Sequence, residues 1–411
     1  MPDKEPRLIS YTDVLQELEK SKPNNHLLLG NGFNLSLGIK TDYKSILDQM
    51  KENNKEYESV ITGNFDLEEF IGACKSQIIE ADNPYFDFMK RYIQNKIKLD
   101  FMKAVTEIVS KEMKNIAQVE KEEIYLLLKQ FNSYFTLNYD PFLYQLLMSY
   151  KKDDKKEVLI FENTLPFIKE QMENSTQAIL KEIEDGYQSG ILTINMGTDE
   201  TQLELSNLNK SDFEKEMKLY FGKRVSKKEL KKVIDHFWKN KDSTEKREIE
   251  RIDDGFGLFG KEIIFKNPQT QNLIFLHGAF HIYQRGKVIF KITQQSEKAL
   301  YQKIEEVVEG ADENIICVFS DTNKEIEITQ NEYLKNGLNK LAELEGNLLI
   351  IGSSLADNDA HIFEKVNQSK IQRIFIASCD KDKAKDFKNT NKFWSGKEII
   401  LFDRDTVSYA K

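Results

Sequence analysis

The stretch His26-Leu27-Leu28-Leu29-Gly30-Asn31-Gly32-Phe33-Asn34-Leu35 decides the fold. A short unbroken apolar run reads as a strand buried on both faces, and such strands belong to parallel sheets covered by helices. The two glycines that follow read as a tight turn into a helix. A turn of this kind exposes backbone N–H groups at a helix N-terminus, where the dipole favours a pyrophosphate and a side chain would obstruct its approach. The full dinucleotide fingerprint needs a third glycine at position 35, which is Leu. The ATPase type of phosphate loop also fails, because Gly38 is followed by Ile39 and not by lysine. A tight packing turn without a ligand therefore stays open beside the phosphate reading.

Further buried runs lie at Tyr134 to Leu137, Leu273 to Leu276, Ile315 to Phe319, Leu348 to Ile351, Ile374 to Ala377 and Ile399 to Phe402. Each is followed by helical periodicity, and from about residue 271 onward the alternation of strand and helix is regular. The pattern predicts an α/β fold, a Rossmann-like doubly wound parallel sheet with large helical insertions. One domain spans 1–411, with its core at about 20–50, 130–150 and 268–411. The insertions fall at about 51–129 and 151–265. The first has Lys, Glu, Ile, Leu and Phe at helical spacing. The second is charged and reads as mostly helical, with a break at Gly186 to Gly190 and a glycine-rich end, Asp253-Asp254-Gly255-Phe256-Gly257. No internal repeat is present, which sets aside solenoids and propellers.

Composition narrows the function classes. With 411 residues, 40% hydrophobic and 31% charged, the chain has enough apolar material for a sizeable core and is not expected to be disordered. A formal charge of −9 argues against broad adhesion to nucleic acid or an anionic membrane. The lysine-rich stretches Lys151 to Lys156 and Lys223 to Lys232 alternate with acidic ones and read as solvated helix faces. Three cysteines, Cys74, Cys317 and Cys379, form no CxxC pair, so no zinc site is expected and a reducing compartment is implied. The polar N-terminus, Met1 to Ser10, and the lack of any apolar stretch near the roughly 20 residues of a membrane span point to the cytoplasm.

Three other strand ends carry polar residues where open α/β sheets bind ligands. Thr136-Leu137-Asn138-Tyr139-Asp140-Pro141 ends a strand in an amide and a carboxylate; Asp140 also reads as a helix cap with Pro141 at the first helical position. Leu276-His277-Gly278 ends a strand in a histidine. His281, four residues on, raises a metal reading that no HExxH glutamate or cysteine cluster supports. Gly352-Ser353-Ser354-Leu355-Ala356-Asp357-Asn358-Asp359 offers hydroxyls and backbone N–H for phosphate or ribose, while Asp359 suits ribose hydroxyls or caps the next helix.

The order Gly-x-Gly, Thr-x-Asn-x-Asp, His-Gly, Gly-Ser-Ser-Leu, all at strand ends, resembles the sirtuin fold. More closely, Gly-Asn-Gly-Phe, Asn-Tyr-Asp, Asp254-Gly255-Phe256 and Leu-His-Gly resemble bacterial sirtuin-like NAD⁺ hydrolases of anti-phage defence. The resemblance covers about half of the chain and implies Gly30, Asn31, Gly32, Phe33 and Asn34 around phosphate, although Asn31 and Phe33 replace the small residues usual there. It implies Asn138 and Asp140 at the nicotinamide end, His277 as base, and Gly352, Ser353 and Ser354 at adenosine, with Asp359 on ribose. NAD⁺ would be the substrate and no metal is expected. The four-cysteine zinc module of protein-deacylating sirtuins has no counterpart here, which weighs against a deacylase. A module that senses NAD⁺ or ADP-ribose without turnover is the alternative of another class. Because uncontrolled NAD⁺ loss would kill the host, control is expected through homo-oligomerisation or a partner such as a hexameric translocase-type ATPase.

Overall fold

The computed structural model describes residues 8–20, 24–60, 84–112, 118–150, 191–196, 199–204, 210–221, 252–259, 262–292, 300–309, 313–318, 324–379 and 381–407, with a few positions between 227 and 249. The chain divides into two compact units, residues 1–151 with 249–411, and Lys152–Glu248.

In the larger unit the strands are β1 (Asn25–Leu29) and β2 (Ser133–Thr136). In the smaller unit they are β3 (Ile191–Met196) and β4 (Asp199–Glu204). The larger unit then resumes with β5 (Phe256–Phe259), β6 (Glu262–Phe265), β7 (Leu273–Phe275), β8 (Gly278–Arg285), β9 (Val288–Lys291), β10 (Glu313–Cys317), β11 (Glu345–Ile351), β12 (Lys370–Ser378) and β13 (Glu398–Asp403). The helices that matter below are α1 (Asn31–Ser36), α2 (Tyr43–Asn53), α3 (Pro84–Glu112), α4 (Phe142–Tyr150), α5 (Lys210–Phe221), α6 (Lys324–Gln330) and α7 (Ala360–Gln368).

Six strands form a wholly parallel sheet in the order β13-β12-β11-β1-β2-β7. Numbered by chain order within that sheet and read from the β7 edge, this is 3-2-1-4-5-6, the doubly wound order of dinucleotide-binding folds. Every residue of β1 and β2 is buried, so both faces are covered, which is why these strands read as continuous apolar runs. At the strand entries the polar groups satisfy one another. Asn25 donates to Leu18 O at 2.6 Å and accepts from Asn347 at 2.8 Å, and His26 bonds Ser133 Oγ at 2.6 Å.

The order reverses between β1 and β11, and there three glycines interlock. Gly30 N donates to Ile351 O and Gly32 N to Gly352 O, both at 2.9 Å. A Cβ on Gly32 would sit 2.6 Å from Gly352 Cα, and one on Gly352, at φ +74°, would collide with Phe33 N.

The remaining strands of the larger unit correct the expectation of regular strand–helix alternation after residue 271. Five strands form an antiparallel sheet, order β10-β8-β9-β6-β5. The run Ile315 to Phe319, expected in the parallel sheet, lies in this one up to Cys317, since β10 pairs antiparallel with β8. An apolar run alone does not distinguish the two environments. The chain passes between the sheets at Leu276-His277, and Gly278, φ +83°, fits beneath the Ile316 carbonyl where no side chain has room. The hairpin β5–β6 occupies 256–265, within the segment expected as a helical insertion.

In the smaller unit, β3 and β4 pair antiparallel, Ile191 opposite Glu204 and Met196 opposite Asp199, and α5 follows. Within the segment expected as mostly helical, the described residues thus include strands as well as a helix, and Leu192, Ile194 and Met196 alternate at period two. Cys74, Lys151 to Lys156, Gly186 to Gly190 and Phe319 lie outside the described residues, while Lys227 and Lys231 are exposed. Among the described residues no helix is long and apolar enough to cross a membrane.

Because Gly352 combines a left-handed backbone with a missing Cβ, Gly352→Ala is expected to destabilise the protein by about 3 kcal/mol. Urea unfolding measures this, and an unshifted midpoint would mean that the two turns do not depend on each other.

Candidate functional site

A cleft of about 380 Å³ opens at the carboxyl ends of β1, β2, β7 and β11. Its lining includes Gly30, Asn31 and Gly32, Leu137 to Asp140, His277, Gly352 to Ser354, Asn358 and Asp359. Four chain-distant strand ends thus meet in one cavity of the size typical of small-molecule sites, at the switch point of the sheet. A smaller cavity of about 140 Å³, lined by Ser133, Phe135, Gln271 and Lys340, has no comparable cluster of strand-end polar groups.

The first turn differs from its sequence reading. The N–H groups of Gly30 and Gly32 are taken by the end of β11, so neither is left for phosphate. The six residues of α1 begin at Asn31, whose side chain donates to Thr41 O and accepts from Thr41 Oγ1, both at 2.6 Å, pinning the loop that leads to α2. Phe33 is fully buried with its ring 6.2 Å from Phe142; it is a core residue. Asn34 does not line the cleft either, and instead donates to Asp140 Oδ2 at 2.9 Å and accepts from Asn138 Nδ2 at 3.3 Å.

Asp140, Asn34 and Asn138 therefore form a chain. Asp140 Oδ1 accepts from Phe142 N at 2.9 Å, so it also makes the turn into α4. Burial pushes its carboxyl up to about 6, against the hydrogen bonds from Phe142 and Asn34. Asp140 lines the cleft and, with each oxygen accepting one bond from the protein, also fixes Asn34 and, through it, Asn138.

His277 is held from several directions. Leu276 N donates to Thr136 O, Val318 N to His277 O, and Phe280 N to Tyr139 O, at 2.9, 3.0 and 3.1 Å. The Tyr139 ring stacks on Phe280 with centroids 6.2 Å apart, and its hydroxyl donates to Val318 O at 2.7 Å. The imidazole is only 3% exposed. Burial first, then the charge of Lys324, push it down to about 3, with a hydrogen bond to the Leu137 backbone acting the other way. Its Nε2 has no hydrogen-bond partner in the protein and lies 3.5 Å from Asp359 Oδ1, which has none either. Lys324 Nζ lies 3.9 Å from the same oxygen. Burial raises the Asp359 carboxyl, with Lys324 and then His361 lowering it. Asp359 precedes α7 but makes no capping bond, so its capping role is set aside; it lines the cleft and faces His277. The ring of His361 lies 5.6 Å from that of His277, and burial and then His277 hold it down to about 4.

Ser353 accepts from Leu355 N at 3.2 Å, and Leu355 is buried at φ 52°, a conformation that costs a non-glycine residue energy. Ser354 is exposed at the cleft rim.

Asp254 and His281 lie outside this cleft. Asp254 Oδ2 pairs with Lys291 Nζ at 2.7 Å in the interior, with Tyr144 Oη 3.1 Å from the same ammonium. The ring of His281 packs edge-on against Phe275. Among the described residues no group of three metal-ligating side chains forms.

Sequence reasoning missed Lys324, a lone lysine at a helix start with no motif around it. It also missed the apolar wall of Ile46 from α2 and Phe101 and Val105 from α3. Phe101 and Val105 are spaced four apart on a helix, a signal that marks a buried face but not what that face borders.

Residues 232–397 match a protein-family model described as DUF4917, a domain of unknown function. That span holds His277, Lys324, Gly352 and Asp359 but not the β1 and β2 strand ends. No curated protein matches the chain.

Asp140 gives a signed pH dependence. Its folded-state value lies above the usual carboxylate range, so the stability it contributes is full below about pH 4 and is lost as the pH rises to about 6, a change of about 3 kcal/mol. Asp140→Asn lacks that titration, so the difference between wild-type and variant unfolding free energies is expected to carry the whole slope. Parallel curves between pH 4 and 6 would show that Asp140 is not perturbed.

Proposed function

We propose that the protein binds NAD⁺ in this cleft and hydrolyses the nicotinamide glycosidic bond, giving nicotinamide and ADP-ribose, as a sirtuin-like NAD⁺ hydrolase. The observation that carries the reading is the meeting of the β1, β2, β7 and β11 ends, which carry the motifs of the sirtuin resemblance, around a single cavity. The doubly wound strand order supports a dinucleotide as the ligand class.

In NAD⁺ the nicotinamide is already a cationic leaving group, so cleavage proceeds through an oxocarbenium-like state without strong acid catalysis. The protein has to position the ribose and exclude bulk water. Asn138, fixed through Asn34 by Asp140, orients a water or ribose hydroxyl. His277 Nε2, desolvated and without a protein partner, accepts that proton. The wall of Ile46, Phe101, Val105 and Phe280 excludes water. With the Gly30 and Gly32 amides occupied, phosphate contacts fall to the Ser353-Ser354 segment and to Lys324. Such an activity needs control, and association with copies of itself or with a translocase-type ATPase belongs to the proposal, as does a role in defence against phage.

The test is NAD⁺ consumption and nicotinamide release by purified wild type, His277→Ala and Asn138→Ala, with folding checked by circular dichroism. Wild type is expected to consume NAD⁺, and each variant to lose about 100-fold or more in kcat/KM. Saturable NAD⁺ binding without nicotinamide release would replace the hydrolase with a nucleotide sensor, and release that requires an acylated peptide would replace it with a deacylase.

A further inference from the structure

At and beside the cleft lies a group of polar atoms that the proposed mechanism leaves unexplained. His277 Nε2, Asp359 Oδ1 and His361 Nε2 are all buried and all lack a hydrogen-bond partner in the protein. Unsatisfied buried polar atoms are rare because each forfeits its hydration, and three within one cluster call for a chemical reason.

Proton bookkeeping supplies one. His277 Nε2 has no hydrogen-bond partner in the protein, and in the neutral ring protonated at Nδ1 it presents a lone pair. Facing it at 3.5 Å is a carboxylate oxygen, also an acceptor. Two bare acceptors at that separation repel, whereas one proton between them turns the contact into a hydrogen bond after a small side-chain adjustment. The proton satisfies the pair equally well drawn as a carboxylic acid donating to imidazole or as an imidazolium donating to carboxylate. Lys324 Nζ, 3.9 Å from Asp359 Oδ1, favours the state with that proton removed, since it then faces a carboxylate.

We infer that His277 and Asp359 hold one proton between them as a single titrating unit whose proton affinity Lys324 sets, making Asp359 a positioning residue for His277. Two groups coupled this closely titrate as a pair, not as separate residues. The groups that face the imidazole are Lys324 on α6, Asp359 in the turn before α7, His361 on α7 and Tyr139 beyond β2. Burial and Lys324 both disfavour a charged ring, and the Asp359 carboxylate has the sign to offset both. The inference deepens the NAD⁺-cleaving proposal, on which it rests for the group that yields the proton, whereas the pair itself is read without any substrate.

The experiment uses the full-length protein labelled with ¹⁵N-histidine, which contains five histidines, and follows side-chain nitrogen shifts from pH 5 to 9. His277 is assigned by the resonance lost in His277→Gln. In wild type its Nε2 is expected to move with pH between the bare and protonated limits. In Asp359→Asn it should stay bare throughout, and in Lys324→Met its midpoint should move to higher pH by about one unit or more. These opposite signs from two neighbours of one ring are not produced by loss of packing, and thermal melts confirm that each variant is folded. A wild-type Nε2 that stays bare over the whole range, or one whose curve is unchanged in Asp359→Asn, overturns the shared proton. An unmoved midpoint in Lys324→Met overturns the role of Lys324. In NAD⁺ turnover, Asp359→Asn is expected to lower kcat about tenfold or more with KM changed less than about threefold, and full kcat would overturn the positioning role. If the spectra behave as expected while wild type releases no nicotinamide, the pair stands and the NAD⁺-hydrolase reading falls.

Discussion

The architecture depends on one close backbone contact, that between the turn after β1 and the turn after β11. Gly30, Gly32 and Gly352 lie against each other with no room for a Cβ, and two N–H···O bonds at 2.9 Å join them. These are the two strands at which the sheet order reverses, so helices depart from them to opposite faces and a crevice opens between. The same contact changes what the glycines are for. Sequence patterns of this kind are read as freeing amides for phosphate, whereas here both glycine amides bond protein carbonyls and hold the crevice in shape.

What lies at the bottom of that crevice follows from where the chain changes sheets. His277 is the second of two residues between a parallel strand and an antiparallel one, and neighbouring backbone bonds on either side leave its position little freedom. A ring that is 3% exposed has lost nearly all of its hydration, so the few charges near it dominate its chemistry. One cation and one carboxylate lie close by, and their opposing effects decide whether the imidazole is an inert packing group or a working base. Asn138 is fixed by a comparable device, an amide chain ending on a carboxylate that is itself tied to the start of α4.

The helical segments between β1 and β2 do more than lengthen the chain. Ile46 on α2, with Phe101 and Val105 on α3, forms the apolar side of the cleft opposite the strand ends. An apolar wall lowers the local dielectric and strengthens every charge interaction across the cavity, so this insertion and the polar strand ends act on the same chemistry.

The sequence by itself determined the parallel strands and the polar residues at their carboxyl ends. Continuous apolar runs such as Leu27-Leu28-Leu29 and Leu348 to Ile351 suit strands whose two faces are both covered, and that preference is local. Asn138, His277 and Gly352 were legible because each ends such a run. Tertiary structure alone decided the rest. Ile315 to Cys317 is as apolar as the parallel strands, and only its neighbour β8 makes it antiparallel. Lys324 and Asp359 are 35 positions apart and meet at 3.9 Å, and Phe33 and Asn34 turned inward because the glycine contact fixed the direction of α1. Periodicity reports which side of an element is buried, but the partner of a hydrogen bond or a charge is set by how distant segments pack, and that information is spread over the whole chain.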